Sequence, residues 1–134
     1  MVSTDKDRLL IVDDEVTICS LCKRVLGQLG YSIDTVNDGR SAKQNLLETA
    51  YGLILLDLRL PVENGMILYN WMKDTSPQLT HRVIFMTGTF LSDDISSFLE
   101  ETAQPMLAKP FRPDELIDAV QSFEKSNRVK TIAG

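Results

Sequence analysis

Four solidly apolar runs in this chain each stop abruptly at a polar residue. Leu9-Leu10-Ile11-Val12 stops at Asp13-Asp14, and Leu53-Ile54-Leu55-Leu56 stops at Asp57. Val83-Ile84-Phe85-Met86 stops at Thr87, and Met106-Leu107-Ala108 stops at Lys109. Unbroken apolar runs suit strands covered on both faces, whereas a strand with one wet face alternates. Tyr31 to Val36 does alternate more, with Ile33 and Val36 set among Ser32, Asp34 and Thr35, which suits a strand at a sheet edge.

Segments of helical period separate the strands. After Asp14, apolar residues recur at Ile18, Leu21, Cys22, Val25, Leu26 and Leu29, and Gly30 is a natural stop. The turn signal Asn37-Asp38-Gly39 opens a second helix to about Ala50, with Ala42, Leu46 and Ala50 on one side. Leu68, Trp71 and Met72 mark a third, ended before Pro77. The fourth starts at Ser92, a capping hydroxyl followed by Asp93 and Asp94, with Ile95, Phe98 and Leu99 inward. The fifth opens with Pro113, Asp114 and Glu115 and carries a stripe of Leu116, Ile117, Val120 and Phe123. Strand and helix thus alternate, which predicts an α/β fold with a parallel sheet and right-handed crossovers. Periodicity leaves the strand order open. One domain is expected over residues 1–124, followed by a polar, loose tail over 125–134.

Composition narrows the function. The net charge of -5 argues against a broad nucleic-acid footprint, which needs clustered Lys and Arg. No apolar stretch approaches the roughly 20 residues of a membrane span, and the N-terminus has no apolar signal core. A cytoplasmic location without membrane contact is expected. Cys19 and Cys22 have redox or zinc spacing, but no second Cys pair or His pair follows them. They read as reduced thiols on or beside a packed helix face. His81, the only histidine, falls where the fourth strand begins, away from the polar strand ends.

In parallel α/β sheets, ligands bind beyond the carboxyl ends of the strands. The polar residues named above all fall there. Crowded carboxylates at Asp13 and Asp14 repel one another unless a cation intervenes, and a hard ion such as Mg²⁺ is the natural occupant. Asp57 offers a further ligand, or a nucleophile towards phosphorus. Thr87 offers a hydroxyl, Gly88 steric room and a free N–H, and Lys109 a positive charge able to offset phosphoryl charge. An Asp ending a strand is often only a helix cap. Five residues at four strand ends, all fit for one reaction, are harder to explain that way.

Four stretches carry a family likeness: Ile11-Val12-Asp13-Asp14-Glu15; Leu55-Leu56-Asp57-Leu58-Arg59-Leu60-Pro61 with Gly65; Met86-Thr87-Gly88; and Lys109-Pro110-Phe111. In this order and spacing, over about residues 7–124, the chain resembles the receiver domain of two-component response regulators. The resemblance implies a flavodoxin-like, doubly wound sheet of five strands in order 2-1-3-4-5, with five helices. It implies a regulatory phosphoacceptor rather than an enzyme with an external substrate. Asp57 would accept a phosphoryl group from a histidine kinase or histidine phosphotransfer domain. Asp14 and Asp57 would hold Mg²⁺ directly, Asp13 mainly through water, and Arg59 through its carbonyl. Lys109 and Thr87 would contact the phosphoryl group, Arg59 and Thr89 would tune its lifetime, and the bond before Pro110 would be cis. Downstream, the resemblance implies a partner protein or a fused output domain, and a weak homodimer through the helix four, strand five and helix five face.

The family's switch usually has Tyr or Phe three residues before the lysine; this chain has Met106. Methionine fills space flexibly but has no ring to turn inward. The expected readout therefore moves to helix four and its loop, Phe90 to Glu101. A phosphohydrolase resembling the haloacid dehalogenase group would need a second Asp two positions after the nucleophile, where Arg59 stands. A flavin or nucleotide binder would need an anion cradle where Asp13-Asp14-Glu15 stands, and a degenerate receiver would lack site residues that are present here. The chain reads as a stand-alone regulator or as a receiver from a longer chain, such as a hybrid histidine kinase.

Overall fold

In the computed structural model, strands and helices alternate along the whole of the region described, residues 7–88 and 91–133, the last seven by their backbone alone. The order is β1 (Arg8–Val12), α1 (Val16–Gln28), β2 (Ser32–Val36), α2 (Gly39–Glu48), β3 (Leu53–Asp57), α3 (Gly65–Thr75), β4 (Val83–Thr87), α4 (Asp93–Thr102), β5 (Met106–Ala108) and α5 (Pro113–Ala133). The strands form one parallel sheet in the order β2-β1-β3-β4-β5, with the half-polar β2 at an edge.

Successive side chains of a strand point to opposite faces, and here both faces are covered. Leu9, Ile11, Leu53, Leu55, Ile84, Met86 and Leu107 face a core closed by α1 and α5. Leu10, Val12, Ile54, Leu56, Val83 and Phe85 face a second core closed by α2, α3 and α4. This double cover is why the central strands read as continuous apolar runs. β3 and β4 are buried at every residue, Asp57 and Thr87 included.

Caps mark several helix starts. Asp38 accepts from Ser41 N–H at 2.7 Å, Asn64 from Ile67 N–H at 3.0 Å, and Ser92 from Ile95 N–H at 3.3 Å. Gly30 follows α1 at φ 99, a conformation that favours glycine.

Two features depart from expectation. A short 3₁₀ helix, which the apolar periodicity does not announce, occupies Pro77–Arg82, and His81 lies exposed in it, outside the site. The polar segment after residue 124, expected to be loose, continues α5 to Ala133. Among the described residues, no helix is long and apolar enough to cross a membrane.

Candidate functional site

Each central strand delivers one polar side chain to the same edge. Asp57 is the last residue of β3 and Thr87 the last of β4, while Asp13 directly follows β1. Backbone bonds fix these ends. Asp13 N–H donates to Val36 O at 3.1 Å, Leu58 N–H to Met86 O at 3.1 Å, and Lys109 N–H to Thr87 O at 2.7 Å. Lys109 and Pro110 are joined by a cis peptide bond, as expected.

Carboxylate oxygens of Asp13, Asp14 and Asp57 all lie within 4.8 Å of one another. Asp13 and Asp57 are buried and Asp14 is exposed, so the group opens to solvent on one side. The two buried acids are oriented alike. Asp13 Oδ1 accepts from Glu15 N–H at 2.8 Å, and Asp57 Oδ1 accepts from Arg59 N–H at 2.9 Å. Their other oxygens face one cation: Lys109 Nζ lies 2.6 Å from Asp13 Oδ2 and 3.2 Å from Asp57 Oδ2.

The electrostatics leave room for more positive charge. Burial pushes the Asp13 carboxyl above the usual carboxylate range, although the neighbouring Lys109 ammonium pulls the other way. Burial alone would lower the Lys109 ammonium, but Asp13 and the charge of Asp57 hold it above its ordinary value. Asp13 Oδ2 is in ion-pair contact with Lys109 but has no hydrogen-bond partner among the described residues. A desolvated acid beside two further carboxylates is a donor set suited to a hard divalent cation such as Mg²⁺.

Thr87 is buried, and its Oγ1 has no hydrogen-bond partner among the described residues. Its hydroxyl is therefore available to a new acceptor at the strand end. A β-carbon added at Gly88 would meet nothing within 4 Å among those residues, in keeping with the steric room expected there.

The remaining expected positions divide. Met106 begins β5 and is 45% exposed, on the outside rather than at the cluster. Arg59 is exposed in the loop that follows β3. Thr89, expected to tune lifetime, and Phe90, expected to open the helix-four readout, lie outside the described residues. Cys19 and Cys22 are free and buried in the α1–α5 core, and Cys19 Sγ donates to Asp13 O at 3.4 Å.

Two residues matter more than their sequence signals indicated. Glu15, third in the acidic run, places Oε1 3.1 Å from Lys109 Nζ. Gly65, legible only as part of the motif after Asp57, lies so close to the end of β3 that a β-carbon there would be 2.5 Å from Asp57 O.

Comparison with known proteins agrees with this architecture. Residues 9–121 match the family model described as the response regulator receiver domain. Transcriptional regulatory protein DltR of Streptococcus agalactiae is 32% identical over 114 residues, which are 85% of this chain and 50% of that protein. The chain spans half or less of the first curated relatives it matches. Among solved structures, the signal receiver domain of a putative Luxo repressor protein from Vibrio parahaemolyticus has a TM-score of 0.77 and 27% identity, covering 94% of this chain and 95% of that one. The signal receiver domain of a signal transduction histidine kinase from Syntrophus aciditrophicus also has a TM-score of 0.77, with 26% identity over 89% of this chain and 90% of its own.

Proposed function

The chain belongs to the response regulator receiver domain family, and from that premise we propose that it takes a phosphoryl group onto Asp57 and signals by a change in its protein contacts. The observation that carries this reading is the meeting of Asp13, Asp14 and Asp57 within 4.8 Å, with Lys109 Nζ 3.2 Å from Asp57.

The donor is a phosphohistidine on a histidine kinase or phosphotransfer domain. An Asp57 carboxylate oxygen attacks phosphorus. The new O–P bond forms as the N–P bond breaks, and the histidine nitrogen keeps the electron pair. Asp13, Asp14 and Asp57, with the Arg59 carbonyl, would hold Mg²⁺, which when bound offsets charge on the carboxylates and phosphoryl oxygens. Lys109 supplies a positive charge beside the acceptor, where low exposure strengthens it. Thr87 brings a hydroxyl that has no competing partner among the described residues to a phosphoryl oxygen. Arg59 stands in the loop that follows β3 and shields the acyl phosphate from water, and Thr89 shares that tuning role.

The protein's output is contact with a downstream protein or a fused output domain, in keeping with relatives named as transcriptional regulatory proteins. A weak homodimer through α4, β5 and α5 is a further contact of this kind. The setting is cytoplasmic.

Incubation with Mg²⁺ and a small phosphodonor, followed by mass spectrometry, tests the reading. A single phosphoryl group on Asp57, absent from Asp57→Asn, is the expected result. No label on a folded protein that binds Mg²⁺ would overturn it.

A further inference from the structure

A lysine ammonium has three N–H donors and no acceptor. Lys109 faces three carboxylates: Asp13 Oδ2 at 2.6 Å, Glu15 Oε1 at 3.1 Å and Asp57 Oδ2 at 3.2 Å. Lys109 donates hydrogen bonds to Glu15 and Asp57 and lies in ion-pair contact with Asp13, so an arriving phosphoryl oxygen competes with these carboxylates for the ammonium. Asp13 is buried and held through its other oxygen by Glu15 N–H. Asp57 is the acceptor itself. Glu15 is 54% exposed and lies outside the three-acid group, so its carboxylate can turn to water at the smallest cost.

A second observation concerns the start of α1. Glu15 is the N-cap residue, with φ -87 and ψ 111, yet its side chain makes no capping bond. The short polar side chains Ser, Thr, Asp and Asn bond back to the first helical turn from this position, and glutamate is not among them. The Glu15 side chain instead crosses from the β1 end of the sheet to Lys109, which follows β5.

We propose that Glu15 is a positioning residue, a latch that occupies one donor of Lys109 in the resting protein and yields it to the phosphoryl group on Asp57. The proposal rests on the phosphoacceptor reading above. Glu15 and the phosphoryl group then compete for one N–H, so the latch slows phosphorylation and shortens the life of the product. A half-exposed ion pair is worth little, so removing it changes each rate by roughly two- to fivefold.

Two variants separate this latch from simple repulsion of an anionic donor. Glu15→Ala removes both charge and reach. Glu15→Asp keeps the charge but is one methylene shorter, and so withdraws from Lys109. Phosphorylation by acetyl phosphate with Mg²⁺, and hydrolysis after its removal, are followed by intact mass. NMR of the Lys109 ammonium without phosphodonor is recorded in parallel. The latch predicts faster labelling and slower hydrolysis in both variants, with the ammonium resonance displaced and its protons exchanging faster. Faster labelling in Glu15→Ala alone would show repulsion of the donor and overturn the latch. Slower labelling in Glu15→Ala, or an unmoved ammonium resonance, would also overturn it. Labelled wild type with unchanged rates in both variants counts against the latch alone. Unlabelled wild type counts against the phosphoacceptor reading, and the latch falls with it.

Discussion

Two glycines at the site meet opposite surroundings. A β-carbon at Gly65 would lie 2.5 Å from Asp57 O and 2.8 Å from Leu58 Cα, both backbone atoms that cannot turn aside. At Gly88, nothing among the described residues lies within 4 Å. Gly65→Ala is therefore expected to lower stability by about 1–3 kcal/mol and to slow labelling of Asp57, because the acceptor strand must shift. Gly88→Ala should stay within about 0.5 kcal/mol of wild type. Urea denaturation with a phosphorylation time course checks both. At Arg59 the expected effect is on lifetime: Arg59→Ala should shorten the phosphorylated state, and hydrolysis as slow as in wild type would contradict the shielding role. The buried thiols make a pH prediction. Burial pushes Cys22 from an ordinary 9.0 up to about 12, and Cys19 up to about 11. Above pH 9 the unfolded chain releases thiol protons that the folded chain keeps, so stability falls as pH rises towards these values. The slope from Cys22 alone is about 1.4 kcal/mol per pH unit. Urea midpoints at pH 8 and 10 should fall less steeply in Cys22→Ala than in wild type.

Elements were legible wherever burial imposed a period. β1, β3 and β4 read correctly because each is covered on both faces, and β2 read as an edge because Asp34 and Thr35 interrupt it. What holds Asp34 there was not legible. Its carboxylate accepts from Tyr51 OH at 2.6 Å and from Arg8 Nε at 3.1 Å, partners from separate segments that no local pattern links. The 3₁₀ helix at Pro77–Arg82 was missed because so short a turn has little periodicity to show. The extension of α5 was missed for another reason. Its apolar stripe ends near Phe123, but no Pro or Gly breaks the sequence before Gly134. At β5 the consequence is functional. Met106 stands exposed opposite Phe85 in the sheet register, with no ring to turn inward. Met106→Tyr is thus expected to change affinity for the downstream partner more than the rate of phosphorylation. Measuring both in one preparation checks this, and no change in either would refute it.

At the scale of the whole molecule, periodicity established alternation but not strand order. Adjacency of strands is a long-range property, and the order 2-1-3-4-5 came from the family resemblance. The site was legible to the same depth. Polar residues at strand ends announced Asp13, Asp57, Thr87 and Lys109, whereas the reach of Glu15 and the closeness of Gly65 depend on distances that only the folded chain sets. The helices do not grip the sheet equally. α1, α3 and α5 each bury several residues against it, whereas α4 fully buries only Ile95 among its described residues. Phe98 holds α4 further through ring contacts with Tyr69 and Phe85, at centroid distances of 5.4 and 5.3 Å. Local opening draws on segments with the least buried apolar surface, so amides of α4 should exchange with deuterium ahead of those in α1 and α3. Exchange mass spectrometry on the unmodified protein would show that ranking, and equal protection across the helices would contradict it. The flank nearest β5 would then be the compliant part of an otherwise stiff body, where a small push from a bound neighbour travels furthest.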